Sequence, residues 1–245
     1  EVELTPGVRE ILVVSDSGDH GAALAWKIPD GPSRRLTLPL DENVANDDIE
    51  AIAWQGGHLF TLTSSGAVRR FSPDGKGELA RDGAAYRLGD PPAACPDLQK
   101  VNCGRNYEGL CLRETAALEV KPRCVGYAAS KKEGALYCIV MNDNKLSIDT
   151  IRKPIVLAVG KHSLADCAFG SYGGPAQSTL VVTTNVYGGS ESFVVDEATG
   201  ALSTIDVSAT PSNEAIAIDR DGSLYQFMDD NGDESLALRM TCIGW

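Results

Sequence analysis

Four carboxylates stand in the same local setting along this chain. Asp48-Ile49-Glu50-Ala51-Ile52-Ala53 is echoed by Asn106-Tyr107-Glu108-Gly109-Leu110-Cys111 and by Ser212-Asn213-Glu214-Ala215-Ile216-Ala217. Leu164-Ala165-Asp166-Cys167-Ala168-Phe169 is a weaker copy. In each, a polar approach leads to one acid, then a small residue, then a short apolar run. Carboxylates gathered at one place repel one another at neutral pH unless a cation or shared protons relieve them. A donor set rich in oxygen and poor in nitrogen favours a hard cation, and Ca²⁺ takes about six to eight oxygen ligands. Glu50, Glu108, Asp166 and Glu214 are therefore the expected metal ligands, with Ca²⁺ the expected ion. The competing reading leaves them solvated at a wide channel mouth, or capping backbone N–H groups there.

To converge, these acids need repeated supporting elements. Their recurrence at a roughly fifty-residue interval marks repeated supersecondary units, and each acid is followed by further strand-like runs. That pattern predicts an all-β chain folded as a single β-propeller domain over 1–245, with five blades of four antiparallel strands. The expected blades span about 1–41, 48–90, 106–152, 164–207 and 212–245. A six-bladed ring with a degenerate blade near 76–105 is the alternative. Each acid then opens an innermost strand, at the end shared with the turns between second and third strands. Asp16, Asp19, His20, Asp229, Asp230, Asn231 and Asp233 fall in such turns. In the first blade the aligned slot is Val2 rather than an acid, with Glu1 and Glu3 beside it. The tail Thr241 to Trp245 is expected to pair with the N-terminal strand and close the ring, removing exposed sheet edges. Helical periodicity is almost absent, and the best candidate, Arg113 to Val120, is short and lies in an insertion from Glu114 to Arg123.

Other chemistry is poorly supported. Asp229-Asp230-Asn231-Gly232 starts like a calcium loop, but its Gly is misplaced for an EF-hand, and an Asn-Gly hairpin turn fits better. His20, His58 and His162 are too scattered for a His-rich zinc centre. No Gly-x-Ser-x-Gly elbow surrounds Ser15, Ser17 or Ser130, and no phosphate-cradling loop occurs.

Composition narrows the partners. The net charge is −12, from 34 acidic against 22 basic residues, which disfavours nucleic acid and anionic membranes. No run is long enough to span a bilayer, and a monomer is expected. The chain opens on Glu1 rather than Met, as expected of a processed or trimmed form. Seven cysteines without a CxxC pair point to disulfides and a secreted or periplasmic setting. Cys95 and Cys103 bracket a loop they could close. Cys111, Cys124 and Cys138 lie on neighbouring strands, and Cys167 with Cys242 could tie a late blade to the C-terminus.

The runs Asp48 to Ala53, Leu59 to Thr63 and Asn106 to Cys111, with Leu12-Val13-Val14-Ser15-Asp16, resemble strands of the SdiA-regulated proteins. They are also similar to the group named for the esterase-like activity of phytase. The resemblance is good over about the first 150 residues and loose beyond. It implies an exported β-propeller with Ca²⁺ on such glutamates and says little about activity. Ala51 and Ala215 replace the motif's Gly, and Asp166 replaces a Glu.

Two functions follow as expectations. The first is a secreted, calcium-binding interaction module that takes a protein or small molecule at an acidic channel mouth. The second is a Ca²⁺-dependent hydrolase of phosphoesters or lactones, the metal polarising the substrate. A phosphoesterase needs cations at the mouth, where Lys131, Lys132 and Arg9 are the candidates. The acidic net charge favours the binder.

Overall fold

Short apolar runs separated by Gly, Asn and Asp turns fold as hairpins rather than helices. In the computed structural model these runs form 21 strands, and no helix occurs among the described residues. The structure describes all residues except 16–19, 30, 41–46, 90–94, 114–123, 161, 171–177, 186–189, 206–212, 229–236 and 241–245, and only the backbone of 237–240.

The strands form five antiparallel sheets in chain order. The first contains β1 (Val2–Thr5), β2 (Val8–Val14), β3 (Ala22–Lys27) and β4 (Ser33–Thr37). The second contains β5 (Ile49–Gln55), β6 (His58–Thr63), β7 (Ala67–Pro73) and β8 (Leu79–Arg81), with β9 (Tyr86–Arg87) also pairing β7. The third contains β10 (Tyr107–Leu112), β11 (Gly126–Ser130), β12 (Ala135–Asn142) and β13 (Lys145–Ile148), with β14 (Ile155–Val156) against β12. The fourth contains β15 (Ser163–Gly170), β16 (Thr179–Asn185), β17 (Ser192–Val195) and β18 (Leu202–Ile205). The fifth contains β19 (Asn213–Ile218), β20 (Leu224–Met228) and β21 (Ala237–Met240). Four sheets are thus complete blades of four or more strands, and the fifth has three among the described residues. The expectation of four strands in every blade is met by those four.

Turn chemistry sets the register. Gly56 and Gly57, both at positive φ, join β5 to β6 between the paired residues Gln55 and His58. Asp143 and Asn144 do the same between Asn142 and Lys145. Two residues at positive φ match the right-handed twist of the strands they connect.

The core is divided among the seams between consecutive sheets. Leu4, Leu12 and Leu38 meet Leu59 and Phe71. Phe60 and Leu62 meet Tyr107, Tyr137 and Ile139. Leu136 and Tyr127 meet Leu164, Leu180 and Val182, and Val181 meets Ile216 and Leu224. The fifth sheet returns to the first through Tyr225 and Phe227 packed on Ile11 and Ile28. There Trp26 and Tyr225 stand edge to face at 5.8 Å, an arrangement worth about 0.5–1.5 kcal/mol beyond area burial. Arg9, held by Glu1 of its own blade at 2.9 Å, adds an ion pair to Asp221 at 2.8 Å across this closure. A ring of radial sheets packed face to face is a β-propeller. The tail proposed to close it lies outside the described residues.

Three disulfides join Cys95 to Cys103, Cys111 to Cys167 and Cys124 to Cys138. The first was expected from the loop it closes. The expected tie from Cys167 to Cys242 is corrected: Cys167 on β15 pairs with Cys111 on β10, stapling the inner strands of blades three and four. Cys242 lies outside the described residues.

Candidate functional site

The inner strands β5, β10, β15 and β19 each carry one β-bulge near their start. On β5 the register slips between Ile49 and Ala51, which makes Glu50 the extra residue of the bulge. On β10 it slips between Tyr107 and Gly109, and on β19 between Asn213 and Ala215. The extra residues there are Glu108 and Glu214. A bulge leaves its residue out of the ladder and re-aims the side chain, which is why bulges gather beside functional sites. Three of the four expected acids are therefore bulge residues at equivalent positions.

Blade four differs by one residue. Its bulge falls between Leu164 and Asp166, so the extra residue is Ala165. Asp166 pairs with Thr183, in the place held by Ala51, Gly109 and Ala215 in the other blades. Its two oxygens accept from backbone amides, Oδ1 from Cys167 at 2.7 Å and Oδ2 from Ile216 of the fifth sheet at 2.9 Å. Burial pushes the Asp166 carboxyl up to about 8 against the pull of these amides, and the charges of Glu108 and Glu214 add to the rise.

The bulge glutamates meet around Lys131, the first residue after β11. Its Nζ donates to Glu108 Oε2 at 3.1 Å. Burial works against the Lys131 charge, but Glu108, Glu214 and Glu50 outweigh it and push the ammonium up from its usual value. Glu108 itself is buried, at 6 % exposure. That burial raises its carboxyl to about 7 even though Lys131 pulls it down, and Glu214 and Asp48 push it further up.

Neutral amides complete the setting. Asn106 Nδ2 donates to Glu108 Oε1 at 2.9 Å, and Asn185, at the end of β16, donates to Glu214 of the next sheet. Ser64, the residue after β6, donates to Asp48 and accepts from the Asn102 amide at 2.9 Å. The entries to the inner strands thus share one end with the residues that follow the second strands, as the repeat pattern predicts. Sequence reading placed Lys131 only among possible phosphate-binding cations and passed over Asn106 and Asn185. The signal that unites Ser64, Lys131 and Asn185 is their place where the second strand of each blade ends.

Among the described residues, the first blade adds no acid to this cluster. Val2 pairs with Glu10 at the start of β2, rather than with the far end of β2, where the repeat alignment puts it. Glu1 instead binds Arg9 and accepts from the Arg220 amide at 3.0 Å, and Glu3 accepts from Gly7. Arg9 is therefore at the opposite end of the ring from Lys131. His20 lies 3.1 Å from Asp47. Asp16, Asp19, Asp229, Asp230, Asn231 and Asp233 lie outside the described residues, as does the segment 114–123.

The donor types suit a hard cation, since every bulge acid offers carboxylate oxygen. Among the described residues, however, no three His, Cys, Asp or Glu side chains are grouped closely enough to hold a metal ion. The cation now at the mouth is the Lys131 ammonium.

No protein-family model matches the chain, and no curated protein matches it. Among solved structures the chain is similar to the propeller of Dos1, at 13 % identity and a TM-score of 0.38, over 89 % of this chain and 50 % of that one. It is also similar to U3-55K, at 11 % identity and a TM-score of 0.45, over 91 % of this chain and 59 % of the other. The chain thus spans about half to three-fifths of the solved structures it matches.

Proposed function

We propose that this propeller is an exported binding module whose acidic mouth takes up a cation, with Ca²⁺ the ion to test first. The observation that carries the reading is the meeting of Glu50, Glu108 and Glu214 around one lysine, with Glu108 pushed up to about 7. Buried carboxylates raised this far are under-compensated, and a divalent ion relieves them better than Lys131 alone. Glu50, Glu108 and Glu214 would hold the ion, with Lys131 swinging outward. Asp166, whose oxygens already serve two amides, would support the seam behind them. The partner is a protein or small molecule recognised at this end by a basic or metal-bridged group, and the module acts as a monomer. Three disulfides support an oxidising compartment, in keeping with the resemblance to SdiA-regulated and phytase-esterase-like propellers.

The test is thermal melting with chelator, Ca²⁺ and Mg²⁺. A ligand that binds only the folded state adds about 2.7 kcal/mol at a hundredfold excess over Kd. Ca²⁺ should therefore raise the melting temperature by several degrees, and more than Mg²⁺, which tolerates irregular cages poorly. Glu108→Gln should blunt that rise. A melting curve indifferent to both metals and to the mutation rejects the cation mouth.

A further inference from the structure

We propose that the Cys124–Cys138 disulfide is a thiol–disulfide exchange site, opened by an external dithiol with Cys124 leaving as a thiolate against Arg152. The three disulfides have different surroundings. Cys95 Sγ lies 3.1 Å from the carbonyl oxygen of Asp97. Cys111 and Cys167 lie 3.5 and 3.9 Å from the carbonyl oxygen of Tyr127. Carbonyl oxygens oppose the negative charge that forms on sulfur when such a bond is broken. Cys124 Sγ instead has Arg152 Nη1 at 3.3 Å, with Cys138 Sγ 3.9 Å from the same nitrogen. Cys138 Sγ also has its neighbour's carbonyl, Ile139 O, at 4.0 Å, so the better leaving sulfur is that of Cys124.

Position favours the same bond. The Arg152 side chain is 39 % exposed and is held by Asp149 at 3.3 Å, so the disulfide lies just beneath a solvated guanidinium. Cys111–Cys167 joins the inner strands β10 and β15, and its two residues are 3 % exposed against 4 % and 5 % for Cys124 and Cys138. Opening Cys124–Cys138 also leaves the blade assembled. The Val125 amide still donates to Ile139 O at 2.7 Å, and β11 stays paired with β10 and β12.

The exchange balances as two displacements. One thiolate of the dithiol attacks Cys138 Sγ, the Cys124–Cys138 bond breaks, and its electron pair leaves on Cys124 beside Arg152. A mixed disulfide now joins Cys138 to the reagent. The reagent's second thiolate attacks its own mixed-disulfide sulfur, closing the oxidised reagent and releasing Cys138 as a thiolate, which takes up a proton. The protein gains two electrons and the dithiol loses two.

Rates of exchange rise with leaving-group stability, so the guanidinium should accelerate this bond selectively. The folded protein would be exposed briefly to dithiothreitol at neutral pH, quenched with an alkylating agent and mapped by peptide mass spectrometry. Cys124 and Cys138 should be labelled first, about tenfold ahead of the other pairs. Arg152→Gln should slow that labelling about three- to tenfold and leave the other two rates unchanged, whereas Arg152→Lys should stay near the native rate. Circular dichroism of the partly reduced protein should keep the native β signal. First opening at Cys95–Cys103 or Cys111–Cys167, or an Arg152→Gln rate equal to native, would overturn the proposal.

Discussion

Blades three and four start their inner strands with similar residues and use them differently. In blade three the bulge takes Glu108, and Gly109 occupies the next paired place. In blade four the bulge takes Ala165, and Asp166 occupies that place. The place faces the next blade in both. A Cβ on Gly109 would come 2.9 Å from Cys167 N and 3.0 Å from Asp166 Cα. One seam further on, the Asp166 carboxylate reaches Ile216 N, the position equivalent to Cys167. The first seam closes by lacking a side chain and the second by a carboxylate that accepts an amide. A one-residue change of register thus turns an acid from a mouth residue into a seam residue, since successive side chains of a strand point to opposite faces.

The largest effect should come from filling the first seam. Gly109→Val places branched carbon against backbone that cannot give way, and overpacking of this kind costs about 3 kcal/mol. A lower urea midpoint with an unchanged slope would confirm it. A midpoint within error of the native value would mean the seam is looser than its distances.

Next comes the second seam. Asp166→Ala leaves the amides of Cys167 and Ile216 without this acceptor, at a cost of about 2 kcal/mol. Asp166→Asn keeps one acceptor and should lose less. The decisive readout is the response to chelator, which Asp166→Asn should retain in full. Loss of that response would return Asp166 to the acid ring.

How much of this was legible follows from the same contrast. The strands, their hairpin turns and the acids at 50, 108 and 214 could be read because hydrophobic runs, Gly-Gly and Asp-Asn turns are local signals. The register of blade four is harder to read, because Ala165-Asp166-Cys167 looks much like Tyr107-Glu108-Gly109, while the bulge is fixed by how β15 pairs with β16, the next strand of its hairpin. The Cys111–Cys167 bond links residues 56 apart in two different blades, and no local signal marks such a pairing. Lys131 was visible as a charge, but its role depends on three glutamates from three blades.

The same two carboxylates make stability depend on pH. The folded state holds Glu108 at about 7 and Asp166 at about 8, against ordinary values of 4.5 and 3.8. Between those limits the folded protein binds more protons than the unfolded chain, so stability falls as pH rises. Lys131 opposes this fall at Glu108 and the amides of Cys167 and Ile216 oppose it at Asp166, while Glu214 and Asp48 add to it. Metal-free protein should therefore melt higher at pH 5 than at pH 8.5, and Ca²⁺ should narrow the gap. Glu108→Gln should flatten the part below pH 7, a contribution on the order of 3 kcal/mol at most. A profile that rises from pH 5 to 8.5 would contradict both shifts.

The smallest effect tests the register itself. Ala165 stands where β5, β10 and β19 carry glutamate, so Ala165→Glu should add a fourth acid to the mouth. Ala165→Gln has the same shape without the charge, and the difference between the two variants isolates the electrostatic part. One further carboxylate among partly solvated neighbours costs on the order of 1 kcal/mol, so metal-free Ala165→Glu should melt a few degrees below Ala165→Gln at pH 8. With Ca²⁺ the order should reverse, because each added ligand charge tightens a calcium site. If the two variants melt together under both conditions, residue 165 does not face the mouth, and the bulge in blade four turns its side chain elsewhere.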